Sequence, residues 1–487
     1  MSRKHTASRE AKPPVGSESV ALPKVEPENT SFETLDSTVS LPRANADSEP
    51  TGGLASKMLY AAAIALLIYM PFHVFLSQSL STVTGGLDAW KAGKDVITFG
   101  LALMAVLLVS LKRRKDSVFQ QLVWLAVLYA GLHLLLFAVH PGLYRRSALA
   151  GIVFNNRVVA YAVIGAGVGL LVGGDRRLRR VQQLIVGVSA CTALLGVVQY
   201  FLPPDMLTHF GYTIARGVRP NFFIDNNPAY PRIFSTMRDP NSFGAYLILP
   251  MMLLLQWFLA DKDRRRRTIY ISLLALEAAA LFLTYSRGAW LATLLSIALV
   301  VVWQYHEVSV RVVRRWWPAL VIAIVLFGGL AYAERHTSFV KSYIIHSTGK
   351  PQAQYDSDGF HWYFVKRGLA GIWHSPLGHG PGTAGLASIQ NPHGSFLTEN
   401  YYVQIGYEVG AVGLLVFLLI NGVLYRALRR RHDALGLVLL ATFWGYVVTN
   451  MLFHMWSNEP VALEWWLLAG FAGTADRETN NVRQSGS

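Results

Sequence analysis

Six arginines give the first indication of chemistry. Arg216, Arg219, Arg232 and Arg238 fall within one stretch of loop-like sequence. Arg287 stands in the turn LTYSRGAW between two apolar blocks, and Arg157 lies several residues inside a third block. A guanidinium stays charged in a desolvated site, and its planar fork matches two phosphate oxygens at once. The set therefore points to a phosphate or diphosphate ligand. The competing reading is anchoring to lipid headgroups, which weighs most for Arg216 and Arg219, and Arg157 is long enough to snorkel outward. Farther along, residues 334–401 gather His361, His393, Glu399 and Asn400. A histidine or carboxylate in such a place can take the proton of an attacking hydroxyl. The run Asp356–Ser357–Asp358 has the Asp-x-Asp form that holds a metal in nucleotide-sugar transferases. So short a pattern arises often by chance, and a diphosphate already faced by arginines requires no metal.

These residues are spaced by segments that belong in lipid. Of 487 residues, 52% are hydrophobic and 15% charged, well below the charge content of a soluble domain. The apolar residues come in blocks long enough to cross ~30 Å of hydrocarbon as helices. Without period-2 alternation they exclude a barrel, so the expectation is an all-α, polytopic bundle. The blocks fall at roughly 58–77, 96–111, 119–139, 149–172, 182–202, 242–260, 268–285, 289–305, 318–333, 402–425, 435–455 and 460–475. About twelve spans are expected by this measure. Residues 1–55 are polar and read as a disordered tail, residues 56–476 as the membrane domain and residues 477–487 as a second tail.

Charge placement orients the bundle. KRRK (112–115), RRLRR (176–180), KDRRRR (262–267), RVVRR (311–315) and RALRRR (426–431) occupy alternate loops, all on one side if there are twelve spans. Lys and Arg accumulate on the cytoplasmic side, so both termini are expected there, in an inner membrane. The net charge of +15 is accounted for by these loops, and no nucleic-acid partner is inferred. The opposite face receives loops at 203–241 and 334–401, the second expected to carry short helices. Cys191, the single cysteine, lies inside an apolar block and excludes an intrachain disulfide or thiol metal site. Glu277 lies mid-block, where a hydrogen bond to a neighbouring helix is expected, and Asn421, Asn450 and His454 read as interhelical contacts.

RIFSTMRDPNSFGAYLILP (232–250) followed by LTYSRGAWLA (283–292) resembles the core of the O-antigen ligase and O-antigen polymerase superfamily. GVVQYFLP (196–203), SPLGHGPGTAG (375–385) and ENYYVQIGYEVGAVGLL (399–415) extend the likeness over most of residues 58–475. The resemblance implies an enzyme acting at the periplasmic face on undecaprenyl-diphosphate-linked glycan, joining it to a lipid or glycan acceptor without a cofactor. It implies that Arg232 or Arg238, together with Arg287, hold the diphosphate; Arg157 joins this set as a further candidate. Many such proteins carry a His-Asn pair before the tenth span, where this chain has Glu399–Asn400. The base is therefore expected at Glu399, with His393 as its rival, and His361 and Asn400 are expected to bind glycan.

The reading is a metal-independent, inverting membrane glycosyltransferase. A repeat-unit polymerase would share these motifs and differ only in its acceptor. A small-solute or anion transporter would place its ionisable groups at mid-membrane, where Glu277 is the clear example.

Overall fold

The computed structural model describes residues 53–224, 227–305 and 357–475. Helices α1 (Leu54–Tyr69) and α2 (His73–Thr84) form one span interrupted near Pro71, whose ring removes a backbone donor. They are followed by α3 (Leu87–Leu111), α4 (Ser117–Val139), α5 (Arg145–Val172) and α6 (Asp175–Tyr200). After the first long loop, α7 (Pro240–Tyr246) and α8 (Ile248–Ala260) make another broken span, then α9 (Arg264–Leu283) and α10 (Arg287–Gln304). The second long loop contains α11 (Ser357–His374), and the chain returns through α12 (Tyr401–Arg429), α13 (Ala434–Leu452) and α14 (Glu459–Ala475).

The all-α, polytopic expectation holds. Among the described residues, nine helices are long and apolar enough to cross a membrane. Two further expected spans correspond to α9, which begins with four arginines and carries Glu277, and to α14, which has only 17 residues. The expected span at 318–333 and the segments 1–52 and 476–487 lie outside the described residues, as do the side chains of Asp356 and Asp358.

The centre of the bundle is α14, buried along nearly its whole length and packed along α5. Small residues set that approach: Gly165 lies against Leu467 and Gly470 against Ala162. Lipid supplies no hydrophobic drive between helices, so close backbone packing and hydrogen bonds must do so. Thr474 Oγ1 donates to Ala166 O (2.9 Å) across this interface. Around it, α12 packs against α4 and α13 against α10. Helix α12 is bent at Gly410, whose φ of +73° lets the chain pass Leu377 and Pro376; a Cβ there would stand 2.5 Å from the Leu377 carbonyl carbon.

Candidate active site

The first loop is built from its own motif residues. Gln199, near the end of α6, turns its Oε1 toward Phe234 N (3.0 Å) and Ser235 N (2.8 Å), and Ser235 Oγ donates to Thr192 O (2.7 Å). The segment that follows Phe222 runs beside the end of α9, with Ile233 N donating to Leu283 O (3.1 Å). That docking aims Arg232: Nε donates to Thr284 O (2.8 Å) and Nη2 to Asn241 Oδ1 (3.0 Å). Burial, together with the Arg287 charge nearby, pulls the Arg232 guanidinium down to about 10, against the opposing pull of Asp239. It therefore remains charged at neutral pH.

Arg287 is the first residue of α10, after Ser286 at the N-cap. The turn before it is tight: Tyr285 has φ +50°, Thr284 Oγ1 accepts from Ser286 N (3.2 Å), and Ser286 Oγ is buried without a partner among the described residues. Arg232 and Arg287 thus share one place, beside the N-terminus of a helix whose dipole and open N–H groups favour an anion. A cavity of about 350 Å³ adjoins Arg232, walled mainly by apolar side chains of α2, α6 and the loop, among them Phe75, Val198, Leu207 and Phe222.

The other two expected phosphate ligands have charged neighbours of their own. Arg238 shares its surroundings with Lys91, and so does Arg216, whose carbonyl accepts from Lys91 Nζ (3.2 Å). The Arg216 guanidinium is itself spent on Gln78 Oε1 (3.1 Å), Gln78 O (3.0 Å) and Ser81 Oγ. Arg157 departs from the expectation outright. It is completely buried, its Nη1 standing 2.8 Å from Asp95 Oδ1 and 3.1 Å from Glu459 Oε1, while Nη2 donates to Ser457 O (3.0 Å). Two carboxylates and a carbonyl already occupy Nη1 and Nη2 of a group expected to receive a diphosphate, while Nε is buried without a partner among the described residues.

The second long loop is organised by Glu408. Its Oε1 accepts from Gly382 N and Ala384 N (3.1 Å each), and its Oε2 from Asn155 Nδ2 (2.6 Å). One fully buried carboxylate thereby fastens the SPLGHGPGTAG segment to α5 and α12. His379 N donates to Tyr407 O (2.9 Å), and the His379 ring stacks on Tyr407 at 3.9 Å.

Glu399 follows from that anchoring. It sits at φ +52° immediately before Asn400, and its Oε2 lies 3.4 Å from His361 Nδ1 on α11. Both side chains stay partly open, at 22% and 27% exposure, so a substrate hydroxyl can reach them. Burial raises the Glu399 carboxyl above the ordinary carboxylate range. His454, which the sequence marks only as a helix contact, lies behind: its Nε2 is 3.2 Å from Thr398 Oγ1. Burial, and then the nearby His361 charge, pull its imidazole down to about 3, so it is neutral at physiological pH. Asn400 is committed to structure, capping α12 through Val403 N (3.0 Å) and donating to Met451 O (3.0 Å). His393 is exposed, with its ring edge-on to Tyr144 at 6.3 Å, and is not brought to Glu399.

Phe453 joins the two groups. The Gly288 Cα presses against its ring so closely that a Cβ would stand 2.7 Å from Cε2, and the same ring lies 5.6 Å from that of His361. Gly288, the residue after Arg287, and His361, which faces Glu399, therefore border a single aromatic side chain. Sequence reasoning missed Phe453 because one apolar residue at the end of an apolar block carries no signal of its own.

Comparison with curated proteins gives no match. Residues 270–418 match the family model described as O-antigen ligase, a stretch that contains the SRG turn, the SPLGHGPGTAG segment and Glu399. The match covers residues 270–418 and supports a likeness of this domain to the O-antigen ligase and polymerase superfamily of membrane glycan enzymes.

Proposed function

We propose that the chain transfers or polymerises glycan carried on undecaprenyl diphosphate, at the periplasmic face of the inner membrane, with both termini in the cytoplasm. Arg232, Arg287 and the N-terminus of α10 take the diphosphate, and the adjoining apolar cavity takes the first part of the polyprenyl chain. The acceptor hydroxyl oxygen attacks the anomeric carbon, and its proton passes to Glu399, which His361 holds in place. The bond from that carbon to the phosphate oxygen breaks, and the diphosphate leaves with the electron pair. The arginines stabilise the charge that develops there. One displacement without a covalent intermediate inverts the anomeric centre. Two cations already face the leaving group, so the step is written without a metal.

The observation that carries this reading is that Phe453 borders both Gly288, next to Arg287, and His361, which faces Glu399. A transporter gains nothing from that arrangement. The test is reconstitution: purified protein in lipid, given polyprenyl-diphosphate glycan and an acceptor in excess chelator, is expected to lengthen the acceptor and release polyprenyl diphosphate in equal amounts. No transfer under any metal condition overturns the reading, and transfer only with added magnesium or manganese overturns its metal-free form.

A further inference from the structure

We infer that Arg157 is a positioning residue for this reaction, fixing the segment 453–459 that separates the two flanks of the site. The inference rests on the glycosyl-transfer reading above. Arg157 belongs to a buried group of four charges that balance: Lys94 and Arg157 against Asp95 and Glu459. Lys94 Nζ stands 3.1 Å from Asp95 Oδ2 and 3.4 Å from Glu459 Oε1. Ion pairing alone does not need an arginine here, since Lys94 meets the same two carboxylates. What the planar fork adds is a third contact in a fixed direction, from Nη2 to the Ser457 carbonyl.

That carbonyl belongs to the short connection between α13 and α14, a buried segment whose Trp456 ring packs on Tyr446, Trp465 and Trp466. Trp456 N donates to Asn450 Oδ1 (2.9 Å), and both Ser457 N (3.0 Å) and Asn458 Nδ2 (3.3 Å) donate to His454 O. A shift of Ser457 is thus passed to His454, which backs Glu399 through Thr398, and to Phe453, which touches both Gly288 and His361. Arg157 bonds to none of the proposed reacting groups. It acts on both flanks through one segment clamped at its far end.

Arg157→Lys tests this, because it keeps the charge balance and removes the fork. The expected result is normal insertion, a fall in kcat of about tenfold or more and a donor KM changed by less than about threefold. Amide exchange in 453–458 should rise while that of α3 and α5 stays as in the wild type. Wild-type kcat, or unchanged exchange in 453–458, overturns the inference; so does a raised donor KM at unchanged kcat, which would make Arg157 a donor ligand. If Arg157→Lys does not insert, Arg157→Met/Glu459→Gln preserves the charge balance and is read by the same criteria. Wild-type protein and Arg287→Ala run in parallel. Absent wild-type transfer, or full activity in Arg287→Ala, is a failure of the functional reading, whereas the exchange measurement judges Arg157 independently.

Discussion

His361 Nδ1 and Glu399 Oε2 face one another at 3.4 Å, one from a helix of the long loop and the other from the residue before the cap of α12. Thirty-eight positions apart in sequence, they form a carboxylate–imidazole pair bordered by Phe453. Glu399→Gln is expected to lower transfer by ~10²–10⁴-fold, the usual contribution of a general base. His393→Ala should stay within about threefold of wild type, because an exposed ring that does not meet Glu399 supplies no transition-state contact. Steady-state rates for the two variants check this; a large loss in His393→Ala with normal turnover in Glu399→Gln reverses the assignment.

The pH profile follows from the same carboxylate. Burial raises its pKa, so it keeps its proton to a higher pH than an exposed glutamate does. The base form therefore accumulates at higher pH, and activity should climb along a limb lying above the ordinary carboxylate range. His361→Ala removes the positive charge that faces the carboxylate at 3.4 Å and is expected to move that limb further upward in pH. A limb that stays put in His361→Ala separates the two residues functionally.

For the arginines, Arg287→Ala should abolish transfer in an inserted protein, and Arg287→Lys should restore only part, since a point charge cannot reproduce a two-pronged contact. Arg232→Ala should be comparably severe. Arg238→Ala should be milder, because Arg238 lies near Lys91, which supplies a second cation there. Equal loss in all three variants would enlarge the phosphate site to include Arg238.

Glu408→Ala is a prediction about stability. It strands Gly382 N and Ala384 N and leaves Asn155 Nδ2 only its longer contact with His133 Nε2 (3.2 Å); each buried donor left without a partner costs about 1–3 kcal/mol. Thermal unfolding in detergent should shift down by several degrees. An unchanged midpoint would mean that the backbone bonds of His379 and Gly380 to α12 hold the SPLGHGPGTAG segment without the carboxylate.

Topology is open to reporter fusions. Signals at residues 113, 178, 265 and 430 should be cytoplasmic and that at residue 370 external. A cytoplasmic signal at 370 would move the whole candidate site to the wrong side of the membrane.

Much of the architecture was legible in the sequence because lipid demands long apolar helices, and those are written as unbroken runs. The arginine motif was legible through the spacing of RIFSTMRDPN and SRG, although the direct docking of the first loop on α9 runs through the backbone of Ile233 and Leu283 and leaves no side-chain trace. Arg157 misled for a physical reason. Its partners Asp95 and Glu459 lie in distant blocks, and nothing in the spacing announces that helices α3, α5 and α14 meet there. The acceptor role of Glu408 toward two amides of the SPLGHGPGTAG segment needed the fold, because backbone donors are the same at every residue.

Among the described residues, three of the four non-glycine positions with left-handed backbone, Ser235, Tyr285 and Glu399, flank or form the candidate site. At Glu399 this conformation filters what mutation can reach. Histidine, asparagine and aspartate enter the left-handed region more readily than most side chains, and β-branched residues hardly enter it. A library randomised at position 399 should therefore yield two non-matching lists. Surface expression would favour glycine, asparagine, aspartate and histidine, which relieve the backbone, whereas transfer would favour only side chains able to accept a proton. Histidine and aspartate meet both demands, so a switch from Glu to either at this position is open to a drifting sequence, while valine or isoleucine is closed twice over.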